Sequence, residues 1–153
     1  MIYLLDVNVL LALRYEEHSL HERAEAWMDY LQDGDRSAHF ATCSTTELGF
    51  VRIACGKLGF AEDVNFAQKD LNRLKAGRFF TFVADHSGAD RLPEWVERSK
   101  QVTDGHLLQL AVDHGAIFAT LDEGIPGALL IPKDTDDGSL FVREPQVPYG
   151  IAA

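Results

Sequence analysis

Short apolar runs alternate with longer amphipathic stretches along the whole chain, and this alternation constrains the fold more than any other feature. Ile2–Leu5 is apolar and closed by Asp6; residues 7–13 stay apolar, with Asn8 placed to cap a short helix. Leu20, Ala24, Trp27, Met28 and Leu31 recur at helical spacing, with Glu22, Arg23, Glu25 and Asp29 on the other side. A turn is expected at 33–35, around Gly34, and a second strand at His39–Thr42. Residues 44–57 predict a helix with Leu48, Val51, Ala54 and Cys55 on its inner face, and 63–76 a helix turning Val64, Ala67, Leu71 and Leu74 inward. A third strand at 79–83 follows, then a helix over 93–100 opened by Pro93 and another over 104–113 stopped by Gly115. Strands at 117–119 and 129–131 complete the pattern. Strands alternating with helices predict an α/β chain in which a central, mostly parallel sheet of about four to five strands is covered on both faces.

The 153 residues are expected to form one domain over 1–153. Within it, 133–153, with Pro145, Pro148 and the acidic loop 134–137, reads as an irregular tail. No apolar stretch is long enough to span a bilayer, and the N-terminus lacks a basic region before Asp6 breaks its apolar run. No membrane association and a cytoplasmic location are the expectations. Cys43 and Cys55 show no zinc spacing and read as reduced core thiols.

Four carboxylates mark the ends of these elements. Asp6 and Asp122 follow strands; Glu47 and Asp104 open helices. In a parallel sheet, ligands bind beyond the carboxyl ends of the strands, and helices that follow strands begin at that same edge. The topology therefore brings all four acids together, where they would repel one another unless a divalent cation sat between them. An oxygen-rich, sulfur-free site suits magnesium or manganese. Two such ions about 4 Å apart can hold a scissile phosphodiester and activate water against it, so a metal-dependent hydrolase is the leading reading.

Each acid also has a structural reading. Ser44 and Glu47 match a helix capping box in STTE, Asp104 suits the first turn of a helix, and Asp122 suits the turn DEGIPG. Asp6, directly after a buried first strand, is the hardest to explain as structure alone. The net charge of −10, from 24 acids against 14 bases, argues against broad sequence-independent binding of nucleic acid. It leaves room for local, metal-dependent contact.

Taken together and in order, LLDVNVLLAL, STTELGFVRI, VTDGHLLQLA and FATLDEGI resemble the PIN-domain ribonucleases, in particular VapC-like toxins of bacterial toxin–antitoxin pairs. The resemblance covers the chain up to about residue 130. It implies a three-layer α/β/α fold and metal-dependent cleavage of RNA in an acidic pocket holding Mg2+ or Mn2+. It implies Asp6, Glu47, Asp104 and Asp122 as the acidic ligands, with Asn8, Ser44 and Thr120 supporting them. It also implies a homodimer and a cognate antitoxin that covers the pocket.

Other features fit this reading less directly. His18 and His21 form HxxH without an evident third ligand. His106 lies two residues from Asp104 and so faces another side of its helix. Asp85, His86 and Asp90 follow the third strand and read as a polar loop near the pocket rim, and Arg52 as either a phosphate contact or a neutralising charge. Arg98 and Lys100 are the better candidates for an RNA contact, while Trp27 and Trp95 read as packing residues. Two alternatives compete. A haloacid-dehalogenase-type phosphatase would use Asp6 as nucleophile, but Asn8 stands where that chemistry needs a second Asp. A non-catalytic PIN-like binding module would keep the fold without turnover.

Overall fold

The structure, a computed structural model, describes residues 1–34 and 37–133. Its elements run β1 (Ile2–Leu5), α1 (Val7–Arg14), α2 (His21–Gly34), β2 (His39–Thr42), α3 (Ser44–Ala54), α4 (Val64–Ala76), β3 (Phe80–Phe82), α5 (Val102–Asp113), β4 (Ile117–Thr120) and β5 (Leu129–Leu130). The five strands form one sheet in the order β3-β2-β1-β4-β5, and every neighbouring pair is parallel. The expected α/β class and strand number are borne out. The irregular tail expected over 133–153 lies, apart from Lys133, outside the described residues.

Side-chain alternation along the strands divides the interior in two. Tyr3, Leu5, Phe40 and Ala119 face α1 to α4, where Val9, Leu10, Trp27, Met28, Phe50 and Leu71 complete the larger core. Leu4, Ala41 and Phe118 face the other way, onto Leu107, Leu108, Leu110 and Ala111 of α5. The result is three layers, with α1 to α4 on one face of the sheet and α5 on the other. Trp27 packs edge-on against Tyr3, with ring centroids 5.5 Å apart, as a packing residue should.

Local chemistry fixes the element ends. Asp63 caps α4 by accepting from the Phe66 N–H at 2.9 Å. Gly115 ends α5 with φ +63, a left-handed conformation that glycine adopts without strain. Both cysteines are free, and Cys43 is fully buried.

Four expectations are corrected. Residues 93–100 do not form a helix: a turn at 94–95 leads into a short 3-10 helix, Ser99–Gln101. Here Trp95 packs against the α5-side core, and Val96 and Pro93 lie beside Gly105, so tertiary contacts override helix propensity. Leu48 is 71% exposed, because α3 turns Thr46, Gly49 and Phe50 inward instead. Gly49 allows Val7 of α1 to approach so closely that a Cβ there would lie 2.8 Å from Val7 Cγ2. Val64, in the exposed first turn of α4, also faces solvent. Finally, Asp33 and Gly34 belong to the end of α2 rather than to a turn, while residue 35 lies outside the described residues.

Candidate active site

Asp6 stands at the carboxyl end of the central strand and, in place of the expected Asn8, caps α1, its Oδ1 accepting from the Val7 N–H at 2.7 Å. Its own N–H donates to the Ala119 carbonyl at 3.0 Å, which carries the β1–β4 ladder one step past Leu5↔Ala119 and sets Asp6 beside Thr120. By strand alternation both side chains lie on the α5 side of the sheet. The Thr120 hydroxyl donates to Asp6 Oδ2 at 2.8 Å and accepts from the Asp122 N–H at 3.0 Å. Asn8 Nδ2 donates to Asp122 Oδ1 at 3.4 Å. Asp104 approaches from the first turn of α5.

The electrostatics follow from this crowding. Burial, reinforced by the charges of Asp104 and Asp122, pushes the Asp6 carboxyl up to about 6, although Thr120 and the Val7 N–H pull the other way. Asp104 is raised as well, by burial and then by Asp122. Asp6 is 6% exposed, Asp104 is half-buried and Asp122 is open to solvent. The structure thus brings Asp6, Asp104, Asp122, Asn8 and Thr120 together.

Glu47 has its ionic partner outside this group. It rises from the first turn of α3, but its Oε1 is held by Lys75 Nζ of α4 at 2.5 Å. The capping-box reading of STTE is corrected: the N-cap is Cys43, whose N–H donates to Thr46 Oγ1 at 3.0 Å, so neither Ser44 nor Glu47 does the capping. Ser44 is the first residue of α3 and is exposed.

The donor set is all oxygen and acidic, which suits a hard divalent cation. Among the described residues, no three His, Cys, Asp or Glu side chains converge closely enough to enclose an ion unaided. Magnesium keeps several waters and takes one or two carboxylates together with substrate phosphates, so an open trio around a buried, charge-stressed Asp6 fits such an ion. A cavity of about 610 Å³ opens elsewhere, at the C-terminal end of α1, and none of the four acids lines it. Its Arg14 and Tyr15 are both engaged by Asp70, at 2.8 Å each.

No family model matches the chain. Individual proteins do. Ribonuclease VapC44 of Mycobacterium tuberculosis (strain ATCC 25618 / H37Rv) is 39% identical over 137 residues, covering 82% of this chain and 92% of the relative. Ribonuclease VapC29 of the same strain is 35% identical over 143 residues, covering 88% of this chain and 100% of the relative. The chain belongs to the VapC family of ribonucleases. A VapC-like fold is also found in a solved structure, VapBC2 from Rickettsia felis bound to a DNA fragment from their promoter. It matches with a TM-score of 0.56 over 84% of this chain and 96% of that chain, and at 12% identity the likeness concerns the fold alone.

For a VapC-family chain the phosphatase alternative has no footing, and Asn8, where a second Asp would be needed, is spent on Asp122. Sequence reasoning gave Asp85 to a plain polar loop. The structure instead makes it a tie between elements: Oδ1 lies 2.7 Å from His106 Nε2 of α5, and Oδ2 accepts from the Thr45 hydroxyl of α3 at 2.6 Å. Burial alone would raise the Asp85 carboxyl, but Thr45 and then His106 hold it below the ordinary carboxylate range. The usable signal was its place just after a strand at the same sheet edge. His18 and His21 serve local structure: His18 Nδ1 accepts from the Leu20 N–H at 3.1 Å, and His21 Nδ1 lies 2.6 Å from the Ala12 carbonyl.

Proposed function

We propose that this chain is a Mg2+- or Mn2+-dependent endoribonuclease, the toxin component of a toxin–antitoxin pair, acting in the cytoplasm through one PIN-like domain. The observation that carries the reading is the buried Asp6, pushed up to about 6 in part by Asp104 and Asp122 at the carboxyl edge of a parallel sheet in a VapC-family chain. Such a group gains most from a cation that neutralises its neighbours.

In this reading Asp6 and Asp104 hold the cation and Asp122 contributes from the open side. When bound, the cation would supply an activated water and neutralise charge at the scissile phosphate. Thr120 orients the Asp6 carboxylate, and Asn8 steadies Asp122. Arg98 and Lys100, both exposed just ahead of α5, would hold the RNA backbone beside the pocket. Glu47 is the fourth acid, and Ser44 lines the rim at the start of α3. A cognate antitoxin would cover the pocket, a role in keeping with the VapBC2 assembly of the structural neighbour. Exposed Phe79 and Phe82, at and beside the edge strand β3, support a homodimer. No described helix is long and apolar enough to cross a membrane.

The test is cleavage of total RNA with Mg2+ or Mn2+. Asp6→Asn and Asp104→Asn are expected to abolish cleavage with the circular dichroism spectrum unchanged. Full activity of either variant would overturn the assignment.

A further inference from the structure

The outer strand β5 is short, and its ladder with β4 stops at a definable point. Thr120 pairs with Leu130, and the Ile131 N–H donates to the Thr120 carbonyl at 2.9 Å. In a parallel ladder of this register the next bond would run from the Asp122 N–H to the Ile131 carbonyl. The Asp122 N–H donates instead to the Thr120 hydroxyl at 3.0 Å, the same hydroxyl that donates to Asp6 Oδ2 at 2.8 Å. The acceptor that Asp122 leaves is taken by Arg23 of α2. Arg23 Nε donates to the Ile131 carbonyl at 3.0 Å, and Nη2 donates to the same oxygen. A carbonyl oxygen has two lone pairs, and the two guanidinium N–H groups occupy both. Ile131 is fully buried, so water does not readily take the place of Arg23 there.

We propose that Arg23 is a positioning residue that turns Asp122 out of the sheet and onto Thr120. By filling the Ile131 carbonyl, the guanidinium denies Asp122 the place in the ladder that its register offers. The chain then bends at the end of β4, and the Asp122 N–H settles on the hydroxyl that orients Asp6. The competition favours Arg23, because a bond from a charged donor to a carbonyl is stronger than one from a neutral amide. The inference rests on the nuclease reading above and deepens it. It gives the placement of Asp122 beside Asp6 to a residue of α2, a helix that supplies none of the four acids, through an unbroken run of hydrogen bonds across β5 and β4.

The test pairs nuclear magnetic resonance of the full chain with RNA cleavage in Mn2+. The resonance experiment reads the scalar coupling that passes through a hydrogen bond, here between the Asp122 nitrogen and the Ile131 carbonyl carbon. Wild type is expected to show none. In Arg23→Met the coupling should appear, because the freed carbonyl draws the Asp122 N–H back into the ladder. The same variant is expected to lose about tenfold in kcat, the scale set by misplacing a positioned group, with KM unchanged. A new coupling is a gain that loss of fold does not imitate. Should Arg23→Met fail to fold, Arg23→Gln, which keeps a single uncharged donor, takes its place and should show both changes in weaker form. A fall in kcat without the coupling would overturn the proposal, since Arg23 would then be only a brace between α2 and β5. The coupling without a fall in kcat would overturn it too. If wild type cleaves no RNA, the nuclease reading falls, and the coupling alone decides whether Arg23 directs Asp122.

Discussion

The Thr120 hydroxyl joins two acids at once: it donates to Asp6 Oδ2 at 2.8 Å and accepts from the Asp122 N–H at 3.0 Å. Thr120 is 1% exposed, so neither bond exchanges readily with water. Thr120→Val keeps the shape and removes both partners. It is expected to destabilise the fold by about 1–3 kcal/mol, the range for bonds to charged or buried groups, and to lower RNA cleavage, while Thr120→Ser stays near wild type. Urea unfolding and a cleavage assay in Mn2+ check this; a fully active Thr120→Val would show that the hydroxyl does not orient Asp6.

Stability of the metal-free protein should depend on Asp6. Burial, with Asp104 and Asp122, raises its folded-state value from 3.8 to about 6, so the folded state holds the proton more tightly than the unfolded state. The corresponding stabilisation is complete below pH 3.8 and is lost as pH rises through about 6. In EDTA, unfolding free energy is expected to fall across that window. Asp6→Asn should flatten much of this fall and be more stable than wild type at neutral pH, by up to about 3 kcal/mol. An unaltered pH slope in Asp6→Asn would place the titration elsewhere.

Gly105 follows Asp104, and an added Cβ would lie 2.3 Å from Val96 Cγ2 and 3.3 Å from Pro93 Cδ. Gly105→Ala is expected to cost about 1–3 kcal/mol by overpacking and to reduce cleavage by shifting the first turn of α5. Val96→Ala in the same chain should recover much of both, because it removes the clashing methyl. Failure of the second change to recover stability would locate the strain in the helix itself.

Arg98 and Lys100 are exposed ahead of α5. Arg98→Glu/Lys100→Glu is expected to raise KM for RNA several-fold with little change in kcat, and to weaken the salt dependence of KM by about two phosphate contacts. An unchanged KM would move the RNA path to another side of the pocket.

The sheet and its helices were legible because apolar period and glycine stops are local signals, and so was the shared edge of Asp6, Asp104 and Asp122. The inner face of α3 was not, because hydropathy pointed to Leu48, whereas the close approach of Val7 demands Gly49 there. The segment 93–100 misled for a similar reason, its conformation being set by the surface of α5 around Gly105. Neither the Lys75 partner of Glu47 nor the Asp85–His106 tie could be read, since each joins residues far apart in sequence through side-chain reach alone. The same holds for Thr120, where the strand register, not the motif, gives the hydroxyl its two partners.

The strand order has a consequence for synthesis. β1 precedes every other described strand in the chain, yet its neighbour β4 is among the last of the described residues, and Asp6 meets Thr120 only across that pairing. A nascent chain that has exposed residues 1–101 already contains β1 to β3, with α1 to α4 to cover one face, but lacks Asp104, Asp122 and the layer that α5 supplies. The pocket therefore closes late, after β4 has cleared the exit tunnel. Until Asp104 and Asp122 have joined Asp6 across β1 and β4, the acids that crowd one another at this sheet edge are still far apart in the growing chain.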